Sequence, residues 1–95
     1  MSKKKHEAIA QYLAEHIETQ VIEQQHDFDM CAQTFKVHIP NDFLLLKVSD
    51  PFIDDREIPG ILNQFENWNL PAILMQASHQ IVLVGNEGFQ FLPPK

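Results

Sequence analysis

Cysteine and glycine are both scarce in this chain of 95 residues, which has one cysteine, Cys31, and three glycines. A single cysteine cannot close an intrachain disulfide, and we therefore expect a reduced, cytoplasmic protein. The glycines stand at positions 60, 85 and 88, too few and too scattered for a glycine-rich loop around a phosphate. The composition thus argues against a disulfide scaffold and against a nucleotide-binding loop of the common type.

Long apolar runs are missing as well. The longest, Phe43–Leu46 and Ile81–Val84, are far shorter than the roughly 20 residues that a membrane-spanning helix needs, so we expect no membrane segment. Residues 3–5 are lysines, as at the start of a signal peptide. Glu15 and Glu18 interrupt the apolar segment that should follow such a basic start, and the sequence therefore predicts no secretion signal.

Basic residues are outnumbered, because 7 Lys and Arg stand against 13 Asp and Glu and give a formal net charge of −6. Proteins that bind nucleic acid usually carry the opposite sign, since neutralising phosphates supplies much of their affinity. Direct binding to nucleic acid is therefore disfavoured. The same charge is compatible with an acidic inhibitor that mimics nucleic acid, based on Glu15, Glu18, Glu23, Asp27, Asp29 and the segment 50–57.

No arrangement of side chains predicts catalysis or metal binding. Zinc ligands on one helix usually stand three or four residues apart, whereas the histidines at positions 6, 16 and 26 are ten apart. Cys31 and His38 are seven apart in one predicted strand and would point to opposite faces. The acidic segment 50–57 lacks the spacing of an EF-hand loop. We therefore assign no catalytic residue, no metal and no cofactor, and an enzyme is only an alternative.

Hydrophobic periodicity predicts a single α+β domain with two helices and five strands in the order α-β-β-α-β-β-β. Because the second helix joins two strands, we expect those strands to be parallel and the rest of the sheet to be antiparallel. Segment 72–77 contains helix-forming Ala, Leu and Met, but the preceding Pro71 favours a strand there. The predicted helices are 3–25 and 59–69, the strands are 31–39, 43–48, 72–77, 80–85 and 89–92, and the frayed termini are 1–5 and 93–95.

The two apolar runs in the predicted strands place apolar side chains on both faces of the sheet. Phe43, Leu45, Ile81 and Leu83 share one parity, and the residues between them share the other. A monomer with one solvated sheet face would carry charged residues at half of these positions. We therefore predict a homodimer with these four residues at an interface. The alternative is that each of the two helices covers one face.

These observations lead to three hypotheses. The first is a small, acidic, non-catalytic adaptor-type module that binds another protein as a homodimer. The second is a small-molecule-binding protein or minor enzyme, whose pocket lies between the sheet and a helix. Residues assigned to that pocket are Tyr12, His16, Trp68 and Phe91. The third is the acidic inhibitor described above.

Overall fold

The computed structural model describes residues 3–19, 21–77 and 80–93. Within these residues the chain forms an α+β fold whose helices and strands share one hydrophobic core. The helices are α1 (Lys3–His16), α2 (Asp50–Asp54), α3 (Ile58–Trp68) and α4 (Leu70–Gln76). The strands are β1 (Val21–Asp27), β2 (Ala32–Ile39), β3 (Asp42–Ser49), β4 (Ile81–Gly85) and β5 (Gly88–Leu92).

The strands form one five-stranded sheet in the order β1-β2-β3-β4-β5. Neighbouring strands are antiparallel except β3 and β4, which are parallel. Helices α2, α3 and α4 lie in the connection between this parallel pair, which needs a crossover rather than a tight turn. The predicted mixed, mainly antiparallel sheet is confirmed, but the described residues contain four helices instead of the predicted two.

The first helix is shorter than predicted, because it ends at His16 and not near residue 25. Val21–Asp27 instead forms the edge strand β1, which pairs with β2 through seven residue pairs. The Glu and Gln residues of this segment favour a helix in isolation. Pairing with β2 and the β-branched side chains of Val21 and Ile22 outweigh that local preference.

Segment 72–77 was predicted as a strand and is largely helical, within α4. Asn69 ends α3 in the left-handed region at φ 55°, and α4 begins at the next residue. Pro71 stands in the first turn of α4, where its missing N–H has no helical partner to lose. The prediction was wrong because it treated Pro71 as a barrier to helix, whereas Pro71 marks the start of a new one.

The acidic segment 50–57, which lies outside the predicted helices and strands, contains α2. Ser49 is its N-cap, and the Ser49 Oγ accepts a hydrogen bond from the Phe52 N–H at 3.3 Å. Phe52 and Ile53 turn into the core, which fixes this short helix to the sheet. A serine before Asp-Pro is a helix-start signal that the sequence already carried.

Some predictions fall outside the described residues. These are residue 20 of the predicted first helix, the turn at 78–79 between the predicted strands 72–77 and 80–85, and the terminal residues 1, 2, 94 and 95. The strand expected before that turn does not exist, since α4 occupies the segment, and β4 instead lies parallel to β3. Residues 3–5, predicted to fray, belong to α1, and the Lys5 Nζ donates a hydrogen bond to the Ile53 carbonyl at 3.1 Å.

The two faces of the sheet are treated differently by the rest of the chain. On the helix-covered face, the side chains of β2, β3 and β4 pack against the four helices. On the opposite face, here named the bare face, no strand residue belongs to this core, as far as the described residues show. The buried residues of the helix-covered face include Phe35, Val37, Leu44, Leu46, Val48, Val82 and Val84.

Candidate functional site

The bare face carries an apolar patch on its β3–β5 side. The register places Leu45 of β3 beside Ile81 of β4, and Ile81 beside Leu92 of β5. Phe43 is 43% exposed, and the Lys36 Nζ lies 4.4 Å from the centroid of its ring. We name this group the bare-face patch: Phe43, Leu45, Ile81, Leu83 and Leu92.

All four residues predicted from the sequence as interface residues lie in the bare-face patch, on one face of neighbouring strands. Their burial is incomplete: Leu45 and Leu83 are half-buried, and only Ile81 is nearly covered by its neighbours. Sequence reasoning missed Leu92. Its spacing of two residues from Gln90 was a usable signal, because it places both side chains on the face of the last strand opposite to Phe89 and Phe91.

The β1–β2 side of the bare face is polar, and its charges are paired within the chain. The Lys47 Nζ lies 2.7 Å from Asp27 Oδ2 and also donates to the Thr34 hydroxyl at 3.1 Å. The hydrogen bond from Lys47 holds the pKa of Asp27 below its usual value. A hydrogen bond from His38 likewise lowers the pKa of Glu23. Most charged side chains on this half of the face are therefore paired with another residue of the chain.

The two edges of the sheet also differ. The edge strand β1 carries Glu23, His26 and Asp27, whereas β5 contains no charged residue. On the helix side of β5, Phe89 is 37% exposed and Phe91 is 48% exposed. The Phe89 ring lies 5.5 Å from Trp68 and 6.1 Å from Phe91, centroid to centroid. We name Trp68, Phe89 and Phe91 the aromatic edge.

The residues predicted to line a ligand pocket occupy the two ends of one row of aromatic rings. At one end, the ring centroids of Tyr12 and His16 lie 4.2 Å apart. At the other end, Trp68 and Phe91 belong to the aromatic edge. Between the two ends lie fully buried rings, which leave no common pocket for the four residues. The row runs through Tyr12, Phe65, Phe52, Trp68, Phe89 and Phe91 at centroid distances of 5.5 to 6.1 Å.

Polar contacts at the α1 end of this row tie two helices together. The His16 Nε2 lies 3.2 Å from Glu66 Oε1, and the His16 Nδ1 lies 2.9 Å from the Tyr12 carbonyl. Burial, with the Glu66 carboxylate close by, raises the pKa of Tyr12 to about 12. A tyrosine held neutral in this way is a poor general base at neutral pH.

The described residues contain no group of three or more His, Cys, Asp or Glu side chains that could hold a metal ion. The His26 Nε2 bonds Asp50 Oδ2 at 2.7 Å, and this pair links β1 to the start of α2. Cys31 is exposed at the tip of the β1–β2 hairpin, where its Sγ contacts the Phe28 carbonyl at 3.8 Å. His26 and Cys31 therefore each contact a different group, and these contacts do not form an imidazole–thiol pair.

None of the described helices is long and apolar enough to cross a membrane. Shallow depressions lie at both ends of the sheet, and neither contains a residue predicted to bind a ligand. The first lies between the start of β1 and the end of β2, and the second beside the β4–β5 turn. The bare-face patch and the aromatic edge both include exposed phenylalanine rings, Phe43 in the first and Phe89 and Phe91 in the second.

Comparison with known proteins adds no relative. The chain matches no protein-family model, no curated protein and no solved structure.

Proposed function

We propose that the protein is a non-catalytic protein-binding module that acts as a homodimer, and that the bare-face patch contacts the bound protein. The observation that carries the protein-binding part of this proposal is an apolar patch on a sheet face that no described helix covers. When another surface covers such a patch and removes it from water, the free energy of the system falls, which favours association.

The arrangement of the bare face favours a protein surface over a small molecule. Its apolar half lies on one face of neighbouring strands rather than in an enclosed cleft between a helix and the sheet. Its polar half carries the Asp27–Lys47 and Glu23–His38 pairs, which resemble the polar rim around an interface. The expected cytoplasmic location follows from the single Cys31 and stays a prediction.

The net charge of −6 further shapes the proposed partner. An acidic protein is repelled by nucleic acid, so a direct duplex partner is disfavoured. A protein partner with an apolar surface and a neutral or basic rim fits both the bare-face patch and the overall charge. The four residues predicted from the sequence, with Leu92, would supply the apolar part of that contact.

A photo-cross-linking pair tests the bound-protein part of the proposal. A benzophenone side chain placed at Leu45, inside the bare-face patch, is expected to form a discrete adduct with another protein in the source cells. The matched control carries the same group at Gln25, an exposed residue on the polar half of the same face. Equal adduct patterns at both positions, or none at either, would contradict the proposal.

A further inference from the structure

The edge strand β5 has the features of a strand that pairs with another strand. One of its edges bonds to β4, and no strand lies beside the other among the described residues. An open edge presents backbone N–H and C=O groups that can template a further strand. Charged side chains usually protect such an edge, and β5 has none, whereas β1 at the opposite edge has several.

The sequence of β5 is complementary to itself when two copies run antiparallel. If the two-fold axis passes Gln90, the side chains of Phe89 and the partner's Phe91 lie directly opposite on the helix side. Both phenylalanines then meet a phenylalanine, and cross-strand aromatic pairs are among the favourable ones. On the bare-face side, Gln90 faces the partner's Gln90 and Gly88 faces the partner's Leu92.

Neighbouring registers are poorer. With the axis at Phe89, Phe91 would lie opposite the partner's Glu87 and a carboxylate would meet an aromatic ring. With the axis at Phe91, Phe89 would lie opposite the partner's Pro93, which has no N–H for the ladder. Only the register centred on Gln90 pairs all five residues of β5 and covers both half-exposed rings of each copy.

Charge and size point the same way. Each chain carries a net charge of −6, so copies repel one another, and a strand free of charge is the surface on which this repulsion is least. A five-residue strand is only about 17 Å long at about 3.4 Å per residue. The contact would therefore be small, in the range below about 1,200 Å² that is typical of weak and transient pairs.

We infer that a second copy of this chain occupies the β5 edge, so that two sheets join antiparallel about Gln90 into one ten-stranded sheet with the two aromatic edges in contact. This inference rests on the homodimer of the proposed function and specifies how its subunits pair. The two bare-face patches then lie on the same side of the joined sheet. Both remain accessible to a bound protein.

A disulfide trap tests this geometry. The variant Cys31→Ser/Gln90→Cys has one cysteine, which the proposed axis places about 4.5–5.5 Å from its copy, Cα to Cα. That distance is within the range of disulfides, whereas sheets packed face to face lie about 10 Å apart. In a buffer of oxidised and reduced glutathione, where the oxidised form accepts the two electrons, we expect covalent dimer to form at least about tenfold faster than from the control, since pairing raises the effective thiol concentration.

The matched control is Cys31→Ser/Gln25→Cys, which places the thiol at an exposed glutamine near the middle of the opposite edge strand. In concentrated guanidinium chloride the two variants should react at the same rate. Equal rates in native buffer, with the protein dimeric, would overturn the β5 pairing and leave the homodimer intact.

Sedimentation of three further variants separates the two proposals. We expect Phe91→Lys to be monomeric, and Val21→Lys at the exposed start of β1 to remain dimeric, with circular dichroism confirming that both fold. Leu45→Lys, in the bare-face patch, should also remain dimeric. A monomeric Leu45→Lys beside a dimeric Phe91→Lys would show face-to-face pairing and overturn the inference alone, whereas a monomeric parent protein would overturn both.

Discussion

The two faces of the sheet are built from the same apolar runs but have different roles. In β3, Leu44 and Leu46 point into the core and are almost completely buried, while Phe43 and Leu45 point to the bare face. The helices cover one face only, so the apolar residues at alternate positions of β3 and β4 face away from the core. An uninterrupted apolar run in a strand therefore does not require that helices of the same chain cover both faces of the sheet.

The largest expected difference between the faces comes from a pair of neighbouring leucines. We expect Leu46→Ala to lower the free energy of unfolding by about 3 kcal/mol, since it leaves a cavity in the core. Leu45→Ala should lower it by about 1 kcal/mol, because that side chain is only half-buried. Urea denaturation at one protein concentration measures both values, and losses of equal size would erase the distinction between the faces.

The turn that folds α4 onto the covered face should give the next effect. Asn69 holds a left-handed conformation at φ 55° between α3 and α4. Asn69→Ala should lower the free energy of unfolding by about 1 kcal/mol, since a Cβ-bearing residue without a local hydrogen bond resists this region. The control Asn69→Gly should cost little, and thermal unfolding of the three proteins decides whether the turn is strained in this way.

A smaller effect concerns pH and the start of α1. Burial lowers the pKa of His6 below 6.5, with Asp50 opposing that shift and His26 adding to it. As the pH falls, His6 therefore takes up a proton at a higher pH in the unfolded chain than in the folded chain. The free energy of unfolding consequently decreases as the pH falls below 6.5.

We expect His6→Asn to reduce the loss of stability between about pH 7 and pH 5.5 by less than about 1 kcal/mol. Free energies of unfolding at both pH values provide the test. An unchanged pH dependence in the variant would show that His6 is not protonated differently in the folded and unfolded chains.

The smallest effect should come from the ion pairs on the polar half of the bare face. The hydrogen bond from Lys47 lowers the pKa of Asp27, so its contribution is lost as the pH falls through that lowered pKa. Asp27→Asn should flatten the acid end of the stability profile, and added salt should shrink the difference from the parent protein. A salt-independent difference would indicate that the Thr34 hydrogen bonds, rather than charge, hold Lys47 in place.

The sequence predicted four of the five strands and one helix closely. The strands at 31–39, 43–48, 80–85 and 89–92 and the helix at 59–69 agree with β2, β3, β4, β5 and α3, within a residue or so at each end. Period-two patterning and turn residues act locally, so a single sequence carries them. The predicted helix 59–69 ends correctly for the same reason, since the left-handed backbone at its last residue suits Asn69.

The errors occurred where distant residues decide the local structure. β1 is a strand because β2 lies beside it, and its Glu and Gln residues alone suggest a helix. Segment 72–77 is helical because the Asn69 turn returns the chain to the core, where Leu74 is buried. The predicted interface residues Phe43, Leu45, Ile81 and Leu83 share one face, because strand parity follows from the sequence. The predicted pocket residues do not line one pocket, because the buried rings of Phe52 and Phe65 lie between them. The sequence does not reveal this packing.

Sedimentation equilibrium of the unmodified protein over a dilution series tests the central claim most directly. We expect a weight-average mass that rises with concentration from the monomer mass of 11.0 kDa toward twice that value, with dissociation in the micromolar range. The proposed pairing through an uncharged strand also predicts that added salt does not weaken association. A mass that stays at 11.0 kDa at every concentration would contradict the homodimer and the pairing of β5 with it.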